Sequence, residues 1–236
     1  MRSKRSQIFP WLICGLGALF YCYEYILRIS PSVMAQPLAH AFNVDAAMLG
    51  NAVAFYYYAY TPMQLPVGVL MDRYGPRRLL AIAALICAGG AYLFAFGHLG
   101  IAEVGRFLVG FGSAFAFVGV LKLASLWLPP SRFAMIAGLV TTLGMLGAMF
   151  GDRLLGHFVQ QMGWQSTVNL SAAVGVVLAA VIWLGIPRSN ASAVHSHVTD
   201  VPEKPMDFGQ LFKEFFQLIK KLLCAVDYLF EHFTRY

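Results

Sequence analysis

Charge is scarce in this sequence. Only 12% of its 236 residues are Asp, Glu, Lys or Arg, while 59% are hydrophobic. A soluble domain carries about 25% charged residues, so this chain has too few charges to cover a surface that faces water. The apolar residues also lie in long blocks, which predicts an integral membrane protein.

Paired cysteines and catalytic motifs are missing as well. The four cysteines, Cys14, Cys22, Cys87 and Cys224, have no paired spacing and indicate neither metal nor redox chemistry. The sequence has no His-Glu-x-x-His helix, no Gly-x-Ser-x-Gly elbow and no pair of intramembrane aspartates. We therefore expect no enzyme activity, no cofactor and no metal site. The net charge of +6 comes from basic residues at the ends of apolar blocks, so nucleic acid is not an expected partner.

Six apolar blocks are long enough to cross a bilayer, since a spanning helix needs roughly 20 mostly apolar residues. They lack the alternation of a barrel strand, which leaves α-helices as the expected structure. The fold class is thus an all-α membrane protein with a six-helix transmembrane bundle. The blocks cover about 9–38, 47–71, 78–97, 101–128, 134–160 and 165–186.

Lys and Arg occupy alternate joints between these blocks. Arg2, Lys4 and Arg5 precede the first block, and the joints that follow the second, fourth and sixth blocks are basic too. The positive-inside rule therefore places both termini in the cytoplasm, in a cell (inner) membrane protein. Three parts are predicted along the chain: the transmembrane bundle at 1–188, a polar linker at 189–206 and an amphipathic helix at 207–236. The last of these has apolar residues at helical spacing and too much charge to span, so we expect it to lie at the lipid headgroups, with packing on a partner as the alternative.

Charged residues inside spanning helices are costly and usually mark a pathway or a buried pair. Glu24 and Arg28 lie one turn apart near the middle of the first block, where an i,i+4 pair can form. Tyr21 extends the same face. We interpret the three as lining a substrate or proton pathway; the alternative is an ion pair that only lets the helix insert.

Other charges are distributed along the fourth and fifth blocks. Arg106 requires a carboxylate, carbonyl groups or an anionic ligand, because it keeps its proton, and we expect it to share a pathway with Arg28. Lys122 lies nearer the cytoplasmic end and is expected to extend to the interface. Asp152 and Arg153 could form an outer charge cluster. Small residues at Gly138, Gly144, Gly147 and Gly151 predict close helix packing along the fifth block.

The joint after the second block carries Gly68, Asp72, Arg73, Gly75, Arg77 and Arg78. This pattern resembles the signature loop of the major facilitator superfamily, and Arg106-Phe-Leu-Val-Gly110 looks like the family's second motif. The resemblance covers roughly residues 9–187 and is not expected to include the tail. Gly151–Asp152–Arg153–Gly156 faintly repeats the first motif three helices later, as in two inverted three-helix repeats.

The resemblance implies one half of an alternating-access transporter, in which Gly68 permits close packing and Asp72 with the nearby arginines locks the cytoplasmic gate. We expect transport of a small anionic or zwitterionic solute, with protons as a possible coupling ion as in a symporter. A second half, either a copy of this chain or a separate one, would complete the cavity. The alternative is a truncated fragment without transport activity.

Overall fold

The computed structural model describes residues 5–187, and all regular structure in that range is helical. The predicted linker and amphipathic helix at 189–236, together with Arg2 and Lys4, lie outside the described residues. Seven α-helices follow in order, with a short 3-10 helix, Pro130–Arg132, before the last. They are α1 (Arg5–Val33), α2 (Ala35–Phe42), α3 (Ala46–Met63), α4 (Pro66–Tyr74), α5 (Pro76–Phe94), α6 (Leu99–Trp127) and α7 (Phe133–Gly185).

These helices supply the six predicted crossings, although their boundaries differ from the six blocks. Four are long and apolar enough to span a membrane by themselves, namely α1, α5, α6 and α7. The first crossing is α1 with α2 and the second is α3 with α4. Helix α7 has 53 residues, about 80 Å at 1.5 Å per residue, which is far more than one bilayer requires. Gly163 divides it into the fifth and sixth crossings, because its φ of 81° is non-helical.

Proline accounts for the two breaks that the sequence analysis missed. Pro31 lies in the last turn of α1, just before the chain changes direction at Met34. Pro62 and Pro66 flank the break between α3 and α4 at Gln64 and Leu65. Each proline lacks the N–H that would continue the helical ladder, so each long block becomes two helices.

Helix α6 is the central element of the bundle and packs against α1, α3 and α5. Its glycines allow this close approach. A Cβ on Gly105 would lie 2.6 Å from the carbonyl oxygen of Gly90 in α5, and a Cβ on Gly110 would overlap the backbone carbonyl of Tyr56 in α3. At the first point the backbone of α6 touches that of α5, and at the second it touches that of α3. No side chain fits between the helices at either point.

The predicted glycine stripe of the fifth crossing is confirmed as a packing surface. Cβ atoms on Gly144, Gly147 and Gly151 would lie 2.5–2.8 Å from side chains of α1. Gly138, in contrast, has open space around it. The stripe therefore holds the fifth crossing against the helix that carries Glu24 and Arg28.

Two neighbouring glycines of α5 test this packing. Gly90→Ala should lower the thermal stability of the purified chain by about 1–3 kcal/mol, because the new Cβ meets the Gly105 carbonyl and Val109. Gly89→Ala is the matched control: nothing lies within 4 Å of its Cβ position, and the change improves helix propensity. Thermal unfolding in detergent measures both. Equal effects of the two substitutions would contradict the packing described.

Candidate functional site

The ion pair predicted in the first crossing is present. Glu24 is fully buried, and its Oε1 accepts hydrogen bonds from Nη2 of Arg28 at 2.6 Å and from Nε at 3.0 Å. The Arg28 side chain remains 20% exposed. One carboxylate oxygen thus neutralises the guanidinium, whose other edge reaches the surface of the bundle.

Tyr56 of α3 is the third member of this site, and the sequence analysis did not single it out. Its hydroxyl donates a hydrogen bond to Oε1 of Glu24 and accepts one from Nε of Arg28 at 3.0 Å. The signal lay in the i,i+4 spacing of Tyr56 and Tyr60, which stack with ring centroids 5.5 Å apart. The aromatic neighbours at 55, 57 and 58 obscured it, because they cover the other faces of the same helix.

Three tyrosines surround the Arg28 guanidinium and form what we term the tyrosine cage: Tyr25, Tyr56 and Tyr60. Their ring centroids lie 4.6, 5.3 and 4.9 Å from Cζ of Arg28. Such contacts attract the cation through the ring quadrupoles. The cage therefore fixes the guanidinium at the point where it becomes accessible.

Tyr21, a predicted pathway residue, lies one turn before the cage and is buried. Its hydroxyl donates a hydrogen bond to that of Tyr25 at 3.2 Å. Its ring also packs against Phe117 of α6, with centroids 5.4 Å apart. Tyr21 therefore supports the cage through Tyr25.

Arg106, which we expected to share a pathway with Arg28, is buried beside α1, and the shared pathway stays a prediction. It is only 2% exposed, and its Nη1 donates to the carbonyl of Leu27 at 3.0 Å. Its Cζ also lies 5.0 Å from the ring centroid of Tyr56. The cavity that Arg106 borders has a volume of about 10 Å³, about the room for one water molecule. The hydrogen-bond partners of Arg106 among the described residues are backbone carbonyls of α1.

Two buried polar atoms have no hydrogen-bond partner among the described residues: Oε2 of Glu24 and Nε of Arg106. The two arginines and one glutamate also leave a net positive charge in the interior of the bundle. Burying a charge without compensation is costly in a medium of low polarity. The electrostatics of the site therefore favour an anion.

At the other end of the bundle, the structure gives Lys122 a partner. Its Nζ lies 2.6 Å from Oδ1 of Asp72, which joins α6 to the end of α4. The side chains of Lys122 and Asp72 are 31% and 66% exposed. The expectation that Lys122 extends to the interface therefore stays a prediction, and Asp72 is a partner that it did not include. Asp72 is one of six residues that we term the gate motif: Gly68, Asp72, Arg73, Gly75, Arg77 and Arg78. It thus pairs with a lysine of the same chain.

The rest of the gate motif forms the turn between α4 and α5. Gly75 has a φ of 80°, a conformation that side chains with a Cβ rarely adopt. Arg77 donates from Nε to the carbonyl of Trp183 at 2.9 Å and lies over its ring, so it attaches the turn to the end of the sixth crossing. Arg73 and Arg78 are exposed.

Three predicted positions have no close partner among residues 9–187. A Cβ on Gly68 would meet nothing within 4 Å, so the described helices do not pack closely against it. Asp152 and Arg153 are exposed on α7, and neither takes part in an ion pair within the described range. The gate role of Gly68 and the outer charge cluster stay predictions.

A sequence profile described as the Major Facilitator Superfamily matches residues 13–229. The match includes most of the tail, so the expectation that the resemblance ends near residue 187 was wrong.

Known proteins show similarity over most of this chain and about half of their own length. "Uncharacterized transporter YybO" of Bacillus subtilis is 29% identical, over 91% of this chain and 52% of its own. "Probable galactarate/D-glucarate transporter GudP" of the same species is 25% identical, over 77% of this chain and 41% of its own. A bacterial homologue of the lysosomal transporter Spinster, solved in an inward-facing, unoccupied conformation, superposes with a TM-score of 0.70 at 18% identity. That superposition covers 78% of this chain and 44% of the solved one.

Removal of a single hydroxyl tests the charged site. Tyr56→Phe should destabilise the chain by about 1–3 kcal/mol, because Oε1 of the buried Glu24 carboxylate loses one of its three hydrogen-bond donors. Tyr58→Phe is the matched control on the same helix, since Tyr58 is 63% exposed. Thermal unfolding in detergent measures both variants. A Tyr56→Phe variant as stable as the control would show that the hydroxyl does not hold the pair.

Proposed function

The chain belongs to the major facilitator superfamily, and we propose on that premise that it forms one half of a transporter for small organic anions. The observation that carries the proposal is the hydrogen-bonded group of Glu24, Arg28 and Tyr56, with Arg106 adding a further positive charge. Arg28 is the residue that would bind the anion, because it is the accessible cation of this group.

The tyrosine cage suits a solute that is both anionic and hydroxylated. Tyr25 and Tyr60 are half-buried beside the exposed edge of Arg28. Their hydroxyls can donate to or accept from a sugar-derived acid, while the guanidinium pairs with its carboxylate. The name of the relative GudP refers to two such acids, galactarate and D-glucarate, and this supports the same solute class here.

Glu24 is the group that would couple transport to protons. When it is ionised, its Oε1 engages two N–H groups of Arg28 and competes with any anionic solute for them. A proton on the unpartnered Oε2 would make the carboxyl neutral and weaken its bonds to Arg28, so that the charge of Arg28 becomes available to the solute. Proton and anion would therefore bind together, which is the behaviour of a symporter.

A second half would complete the path. The chain spans about half the length of the relatives it matches, and the exposed edge of Arg28 lies on a face that the described helices leave open. A copy of this chain or a separate polypeptide would cover that face. In this arrangement the pair of Asp72 and Lys122 lies at the cytoplasmic gate of an inner-membrane protein, with both termini on the cytoplasmic side.

Binding of D-glucarate to the purified chain tests the solute and the proton coupling together. Saturating D-glucarate should raise the thermal midpoint by about 5 °C, and the shift should grow as the pH falls from 8 to 6. D-glucitol, which has the same carbon chain without carboxylates, should give no shift. Arg28→Gln should abolish the response, whereas Arg132→Gln, at an exposed arginine outside the site, should retain it.

Glu24→Gln mimics the protonated carboxyl and should give the full D-glucarate shift at every pH in that range. A pH dependence equal to that of the unmodified chain would exclude Glu24 as the coupling group. No response of the unmodified chain to D-glucarate at any pH would contradict the proposal that this half binds the anion.

A further inference from the structure

Pro31 breaks the hydrogen-bond ladder of α1 one turn after Leu27. In an unbroken helix the N–H of residue 31 would bond to the carbonyl of residue 27, but proline has no N–H. Leu27 is 3% exposed and borders a small cavity that residues of α1, α5, α6 and α7 line. Leaving such an acceptor without a donor inside a membrane protein costs free energy.

Two side chains replace the one N–H donor that Pro31 lacks. Ser30 Oγ donates to the Leu27 carbonyl at 2.9 Å, and Arg106 Nη1 donates to the same oxygen at 3.0 Å. Arg106 Nη2 lies 3.5 Å from the carbonyl oxygen of Arg28, the next residue. The guanidinium of Arg106 therefore reaches the carbonyls of both Leu27 and Arg28.

We infer that Arg106 is a positioning residue that supplies the hydrogen-bond donor missing at Pro31 and so sets the orientation of Arg28. The inference rests on the proposed function for its consequence, since Arg28 is the proposed anion-binding residue. Arg106 itself does not contact the solute. It is 2% exposed, and the cavity beside it has room for about one water molecule.

The same side chain also positions Tyr56. Its guanidinium lies 5.0 Å from the Tyr56 ring centroid, while Gly110, one turn further along α6, receives the Tyr56 backbone carbonyl. Arg106 thus contacts the carbonyl of Arg28 on one side and the tyrosine that bridges Glu24 and Arg28 on the other.

A double-mutant cycle tests this role in the full chain. Arg106→Met removes the donors and should lower the thermal midpoint by about 4–10 °C. Pro31→Ala supplies an N–H for the Leu27 carbonyl, so the loss caused by Arg106→Met in that background should be at most half as large. Lys122→Gln is the control on the same helix, and its effect should be equal in both backgrounds.

Equal losses from Arg106→Met with and without Pro31→Ala would overturn the inference. If Arg106→Met alone does not yield folded protein, recovery of folded protein by Pro31→Ala supports the inference and failure to recover contradicts it. These outcomes need no solute, so they are independent of the proposed function.

The shift induced by D-glucarate separates positioning from direct contact. If Arg106 acts by positioning Arg28, Pro31→Ala should restore at least part of the D-glucarate shift that Arg106→Met abolishes. Loss of the shift in both backgrounds, with Arg28 intact and the chain folded, would mean that Arg106 contacts the solute. If the unmodified chain shows no shift, the proposed function fails while the cycle still decides the role of Arg106.

Discussion

The buried ion pair of Glu24 and Arg28 is the interaction on which the rest of the site depends. A carboxylate with no exposed surface in the centre of a spanning helix requires several donors, because lipid and protein interior solvate charge poorly. Arg28 supplies two of them and Tyr56 supplies a third. Tyr56 reaches Glu24 only because α3 lies directly on α6, where Gly110 leaves room for its backbone. The electrostatic demand of one carboxylate is thus satisfied by the close packing of three helices.

The backbone of α1 has a second buried acceptor that needs donors, the carbonyl of Leu27. Pro31 frees the carbonyl of the buried residue Leu27, and Ser30 and Arg106 satisfy it from two directions. An arginine suits this position because its planar fork can reach two adjacent carbonyls, which a single ammonium group cannot do. The positive charge that comes with the guanidinium has no carboxylate of its own among the described residues. It therefore adds to the field that favours an anion near Arg28.

Features that depend on spacing within one helix were predictable from the sequence. The pair of Glu24 and Arg28 follows from i,i+4 geometry, and the glycine stripe of the fifth crossing follows from its helical period. Membership in a family of transporters confirms the prediction that the chain is not an enzyme. Tyr56 was missed because its partner lies 32 positions away and its aromatic neighbours conceal the relevant face. The partner of Lys122 was missed for a related reason: the approach of Asp72 depends on how α4 packs after the break at Pro62 and Pro66. The contact of Arg106 could not be predicted from the sequence either, because its partner, the carbonyl of Leu27, lies 79 positions earlier in the chain.

Helix α6 connects the two ends of the molecule. It runs without a break from Leu99 to Trp127, so Arg106 and Lys122 are held about 24 Å apart by the helical rise. Arg106 donates to the Leu27 carbonyl of α1, and Lys122 pairs with Asp72 of the gate motif. The glycines between them let α3 and α5 lie against the helix backbone, where a shift along the axis would bring side chains into collision. Close packing of this kind permits a small number of discrete arrangements and opposes continuous deformation. The geometry of the central ion pair and that of the gate motif are therefore set by the same rigid element.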